Sequence, residues 1–215
     1  MVSRLDTYHW ASNLVSESTR GATSVLDFGN GGFIGYDISE SVRYLLAVDI
    51  CIVGARKEIV KNAVVEFVEG DVLAWTDERR FDLVIAQNLL HHIVGRKVSD
   101  NIPLVRKAVR AMWRNVACAG KLLVVESVLP FWALSVERVL YPFSSLLVPV
   151  LFDHPVTYQL SLDILAEHVL SCCTGGVLAG IGIFPVGKWI IHYGHMVPTW
   201  LTPARLAYIL IRRDK

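Results

Sequence analysis

Val25-Leu26-Asp27-Phe28-Gly29-Asn30-Gly31-Gly32-Phe33 is an apolar strand that carries an acid near its end and runs straight into a turn with three glycines in four positions. A second apolar run, Tyr44-Leu45-Leu46-Ala47-Val48-Asp49, closes on another acid 22 residues after Asp27. Glycine tolerates backbone conformations that let a loop approach a ligand, and an acid ending the neighbouring strand can accept hydrogen bonds from a ribose. Together the two runs are how an α/β sheet presents a nucleoside-bearing ligand.

The chain around this motif has 215 residues, enough for one domain with a sizeable core. Lys and Arg number 21 against 20 Asp and Glu, so bulk charge gives no reason to expect a polyanionic partner. Hydrophobic residues make up 53% and the mean hydropathy is +0.44. That fits a mostly parallel sheet buried on both faces, or an apolar surface that meets a membrane or a greasy substrate. Cys51, Cys118, Cys172 and Cys173 form no CxxC pair, no metal site emerges from the His, Cys and Asp spacing, and the first residues do not read as a signal peptide. A reducing, cytoplasmic setting is expected.

Hydrophobic periodicity predicts strands over 24–28, 44–49, 64–68, 81–86 and 121–126. Helices are expected over about 34–43, 54–62, 102–116 and 162–172. Pro103 suits the first turn of the third and Ser161 caps the fourth, while residues 1–23 read as polar and irregular. Two closing strands, about 177–184 and 205–212, have no room for a helix between them and are expected to be antiparallel. The fold class is therefore α/β: a Rossmann-like, doubly wound, seven-stranded, mostly parallel sheet with an antiparallel last strand.

Read in order, four blocks resemble the class I S-adenosylmethionine-dependent methyltransferases that act on small molecules, and a fifth supports the likeness. Val25 to Gly31 resembles that family's strand–Asp–x–Gly–x–Gly motif, and Leu46-Ala47-Val48-Asp49 resembles the acidic end of its second strand. Gly70-Asp71-Val72 resembles the block that meets the adenine. Phe81 to Ile93 closely resembles the strand-four block, and Gly120 to Glu126 supports the reading as strand five. The likeness implies a single domain over 1–215, with an N-terminal segment 1–23, a cofactor-binding core 24–127, an apolar lid or insertion 128–160, and a C-terminal helix and strand pair 161–215. It implies S-adenosyl-L-methionine as cofactor and S-adenosyl-L-homocysteine as product. Asp27, Gly29, Asn30 and Gly31 would surround the methionine portion, Asp49 and Ile50 the ribose, and Asp71 and Val72 the adenine, with Gln87 and Asn88 against cofactor or acceptor.

The chain departs from the family pattern at Phe33, where a third glycine is usual, and at Cys51, where a serine is common. A methyltransferase-like protein without activity is the first rival reading. A nicotinamide enzyme is the second, disfavoured because Ile34 stands where its glycine motif would continue. Methyl transfer is an in-line displacement that depends mainly on positioning, and some acceptors also need a base. His91 and His92, just past strand four, and Glu126, ending strand five, are the catalytic candidates. His154, His192 and His195 are weaker ones. The absence of an Asn/Asp-Pro-Pro-aromatic block after strand four, and of a Pro-Cys pair, argues against nucleic-acid substrates.

The insertion Leu129 to Pro155 lies where the resembled family builds its substrate lid, and its stretch 131–152 is rich in Phe, Trp, Leu and Val. Glu137, Arg138, Pro142 and Pro149 interrupt it, and its uncharged part is too short to span a bilayer. It is expected to serve a small apolar or lipid-linked acceptor, a dimer partner, or peripheral contact with a membrane.

Overall fold

The computed structural model describes residues 6–52, 56–152, 155–192 and 195–214. Its frame is a sheet of eight strands. In chain order they are β1 (Ser24–Phe28), β2 (Tyr44–Asp49), β3 (Arg56–Val60), β4 (Ala63–Glu69), β5 (Phe81–Gln87), β6 (Val116–Val128), β7 (Gly176–Ile183) and β10 (Arg205–Arg213). Across the sheet the order is β3-β4-β2-β1-β5-β6-β10-β7. The chain steps from β1 outward to β2 on one side and returns to β5 on the other, so the connections diverge beside β1. From β4 to β6 the strands run parallel, while β10 is antiparallel to both β6 and β7, as expected. A separate hairpin, β8 (Trp189–His192) with β9 (His195–Pro198), occupies a stretch that reads in the sequence as turns alone.

Burial explains the apolar runs. Leu26, Leu46, Val84, Leu122 and Val124 face one side of the sheet and pack beneath helices α2 (Val98–Arg114) and α4 (Leu162–Cys172). Their sequence neighbours Val25, Leu45, Ala47, Ile85 and Val125 face the other side and meet Ala11 and Val15 of α1 (Asp6–Ser18). Side chains alternate across a strand, so only strands covered on both faces need both sets to be apolar.

Four expectations are corrected. Residues 6–18 form α1 instead of an irregular segment, and no helix covers 34–43. The two changes are one substitution: α1 supplies the missing layer and pins the loop. Ser12 Oγ donates to the Gly35 carbonyl at 2.8 Å, and Ser16 Oγ and Thr19 Oγ1 accept from the Asp37 and Ser39 amides, each at 3.0 Å. The helix expected over 54–62 is, where described, the edge strand β3, an eighth strand. Lys57 reaches its cross-strand partner Glu66 at 3.4 Å, and the Arg56 guanidinium lies over the Phe67 ring at 4.0 Å. Helix α2 begins a turn early because the Asp100 carboxylate accepts the Lys97 amide at 3.1 Å, which leaves Pro103 inside the helix.

Between β6 and α4, residues 131–152 form one unbroken helix, α3 (Phe131–Phe152). Pro142 and Pro149 do not stop it: they lie seven residues apart on one exposed side, where the carbonyls they leave unbonded can be hydrated.

Ser161 caps α4 by accepting from the Ile164 amide. Ser161→Ala should lower stability by about 1 kcal/mol and the melting temperature by roughly 2–4 °C, measured by calorimetry against the parent chain.

Candidate functional site

The C-terminal ends of β1, β2, β4 and β5 enclose a cavity of about 250 Å³. Phe28 and Gly29 come from β1, Val48, Asp49 and Ile50 from β2, Gly70 to Leu73 from the turn after β4, and Leu89 and His92 to Val94 from the turn after β5. A crevice at the carboxyl edge, where the strand order reverses, is where open α/β sheets bind ligands.

The glycine turn is stitched from several directions. Gly29 (φ +80°), Gly31 (φ +63°) and Gly32 (φ +76°) are all left-handed. At Gly29 there is also no room for a side chain, since a Cβ would stand 2.9 Å from that of Leu89. Asp49 Oδ2 accepts the Gly31 amide at 2.7 Å, and its Oδ1 accepts the Cys51 amide at 2.8 Å. Asn30 closes the turn on itself: its Oδ1 accepts from the Gly32 amide at 2.8 Å and its Nδ2 donates to the Asp27 carbonyl at 2.9 Å. From the edge hairpin, Arg56 donates to the Gly32 carbonyl. The hydrogen bonds leave a ring of groups able to hold a nucleoside. Each carboxylate oxygen carries two lone pairs, so Asp49 can still accept from hydroxyls, and one oxygen of Asp71 remains after the other takes the Leu73 amide at 2.8 Å. Val72, Leu73, Ile93 and Val94 supply flat apolar walls.

Asp27 sits under the cavity and does not line it. It is buried, Tyr36 donates its hydroxyl to the carboxylate at 3.0 Å, and burial pushes its pKa up to about 7. The Tyr36 bond offsets part of that rise, while the charge of nearby Asp49 adds to it.

The three catalytic candidates separate. His92 lines the cavity. Behind it, Glu126 is buried and fully engaged: it accepts the Leu90 amide at 2.6 Å, the Ser127 amide at 2.8 Å, and a hydrogen bond from His91 Nδ1. Burial alone would raise the Glu126 pKa, but His91 and these amides outweigh it and hold the carboxyl below its usual range. The His91 carbonyl in turn accepts the Tyr158 amide at 2.8 Å. Glu126 and His91 therefore fix the short 3₁₀ turn Leu90–His92, and so the position of His92. Asn88 makes the left-handed step into that turn (φ +52°), its amide bonded to the Val125 carbonyl at 2.8 Å; neither it nor Gln87 lines the cavity. Asn30 and Gly31 hold the rim by the bonds above. His154 lies outside the described residues, and the backbones of His192 and His195 belong to the β8–β9 hairpin.

Sequence reasoning missed Arg56, Tyr36 and Leu89. Leu89 had a signal in the apolar run after strand four. Arg56 and Tyr36 had none, because both act through loops whose course only the fold reveals.

No protein-family model matches the chain, and no curated protein matches it. Solved structures do match in shape. The N-methyltransferase NodS from Bradyrhizobium japonicum WM9, in complex with S-adenosyl-L-homocysteine, aligns at a TM-score of 0.57 and 13% identity over 97% of this chain and 86% of its own. A S-adenosylmethionine-dependent methyltransferase from Methanosarcina mazei aligns at 0.60 and 12%, covering 94% and 97%. Magnesium protoporphyrin IX methyltransferase (ChlM) from Synechocystis PCC 6803, with the same bound product, aligns at 0.56 and 14%, covering 98% and 83%. The fold is that of the class I S-adenosylmethionine-dependent methyltransferases.

Because the Asp27 pKa is raised in the folded state from 3.8 to about 7, the native state holds this proton more tightly than the unfolded chain does. The stabilisation is complete below the unfolded value and is lost as pH rises through about 7. Asp27→Asn keeps an acceptor for Tyr36 without the charge. Thermal melting of this variant should show a flatter decline in stability than the parent between these two pH values. A parallel decline in both proteins would mean that Asp27 does not carry the effect.

Proposed function

We propose that this protein is an S-adenosyl-L-methionine-dependent methyltransferase acting on a small, apolar or lipid- or glycan-linked acceptor, with transfer to oxygen favoured, and that it works in the cytoplasm. The observation that carries the reading is the cavity at the sheet's switch point, which has a glycine turn on one side and the carboxylates of Asp49, at the end of β2, and Asp71, just after the adjacent strand β4. When bound, the cofactor supplies an electrophilic methyl group on a sulfonium.

The chain's own residues bind, orient and exclude water. Asp49 accepts from the ribose hydroxyls while keeping the glycine turn closed through Gly31. Asp71 accepts from the adenine amino group, with Val72 against the ring face. Gly29 and the turn behind it give the methionine portion access to backbone groups. His92 stands on the cavity wall where it can receive a proton from an acceptor hydroxyl, positioned by the Glu126–His91 pair beneath it.

Isothermal titration of the purified protein with S-adenosyl-L-homocysteine should show binding, and Asp49→Ala should weaken it about 10- to 1000-fold. A folded parent protein that binds no S-adenosyl-L-homocysteine would sink the reading. His92→Ala should leave that affinity near the parent value while slowing turnover of any acceptor found by screening. An equal loss of both would make His92 a wall of the cofactor site and remove it from proton transfer.

A further inference from the structure

Helix α3 is fastened to the domain by a narrow stripe. Ala133, Tyr141 and Val148 are buried, the Tyr141 hydroxyl donates to the Gly95 carbonyl at 3.1 Å, and Glu137 accepts the Gln159 amide at 3.3 Å. The opposite side is bare. Trp132, Val139, Phe143, Leu146 and Val150 form its crest, at 64% to 80% exposure, and Phe131 and Leu151 form its shoulders. Successive residues turn by about 100°, so apolar side chains cover roughly 200° of the helix circumference. Within that arc the Ser135 hydroxyl and the Trp132 indole N–H are the hydrogen-bonding side-chain groups, and Arg138 stands at its margin.

We propose that this face docks on the surface of a lipid bilayer, with α3 lying parallel to it. A second copy of the chain fits less well. A helix seam covers a stripe of about 100°, so pairing would leave both shoulders in water. A standard protein interface also carries a polar rim and about ten hydrogen bonds, which one serine and one indole cannot supply. The interfacial layer of a bilayer is fluid, accepts the whole arc, and asks for no hydrogen-bond partner.

The charges agree. Glu137, the one acid on α3, is turned inward, while Arg138 flanks the apolar arc. Arg96 and Lys97, both exposed, directly follow the Gly95 that Tyr141 holds. Cations bordering an apolar face match anionic headgroups. Trp132 near the start of α3 and Trp200 after β9, 81% exposed, add amphipathic rings of the kind that settle at a membrane interface. The two regions adjoin, since Ala133 clusters with Ile190 of β8 and with Ala204. By length and composition alone Phe131–Leu151 could cross a bilayer, at a mean hydropathy of 1.3. The inward stripe ties the helix to the domain at both its halves, and that attachment favours lying on the surface over crossing it. This inference rests on the surface alone and stands whether or not the cavity holds a cofactor.

The test is flotation of the full chain with vesicles of phosphatidylcholine and phosphatidylglycerol, beside the double variant Leu146→Glu/Val150→Glu. Both positions are exposed, so the variant should melt with the parent. The parent should rise with the vesicles, and the bound fraction of the variant should fall about tenfold or more. The proposal is overturned if the parent stays at the bottom of the gradient, or if the variant floats equally well. It is also overturned if light scattering finds a lipid-free dimer that the variant dissociates and that does not float. Retention of the parent after an alkaline carbonate wash would mean insertion across the bilayer, and would likewise overturn surface docking.

Discussion

Strands β1, β2, β5 and β6 are covered on both faces, and this constraint organises the rest of the molecule. A strand buried on both sides has nowhere to place a charge except at its ends, because a lone charge in the interior costs several kcal/mol. Asp49 ends β2, and Asp71 follows β4 by two residues. Among the described residues, Asp27 and Glu126 are the buried charged side chains that lie within these strands. Each is buried, and each is satisfied by a partner that serves the cavity: Tyr36 for one, His91 and two backbone amides for the other. The polar chemistry of the protein thus collects along one edge of the sheet.

Holding that edge in shape falls to hydrogen bonds more than to packing. The glycine turn has no helix directly behind it to brace its amides. Asp49, Arg56 and the Asn30 side chain do that work, and α1 with the turn after it anchors the rest of the loop through three short hydroxyl side chains. On the other side of the cavity, Glu126 joins the end of β6 to the turn that carries His92. The two halves of the site are built alike, with an acid at or near the end of one strand reaching across to fix the backbone of its neighbour's loop.

The strands were legible because their burial writes itself into composition: β1 and β2 have the bounds their apolar runs indicate, and β7 and β10 pair as the absence of an intervening helix requires. The helical layer on one face was not legible. α1 buries little beyond Ala11 and Val15, too few apolar residues to show a period among Ser, Thr and Asn. The edge strand β3 exposes nearly everything it carries, so its Arg-Lys-Glu-Ile-Val sequence holds no alternation to read. Prolines in 131–152 suggested a broken segment, yet both fall on the solvent side, where the helix loses little by them. Within the site, residues on strand ends could be named from the sequence. Arg56 and Tyr36 could not, since what they do depends on where a loop returns.

The hydroxyl of Tyr141 ends on the carbonyl of Gly95, one residue beyond Val94 on the cavity wall. That bond ties the middle of α3 to the segment that lines the mouth of the site. The apolar face of the helix and the wall of the cavity are thus neighbours through a single pair of residues.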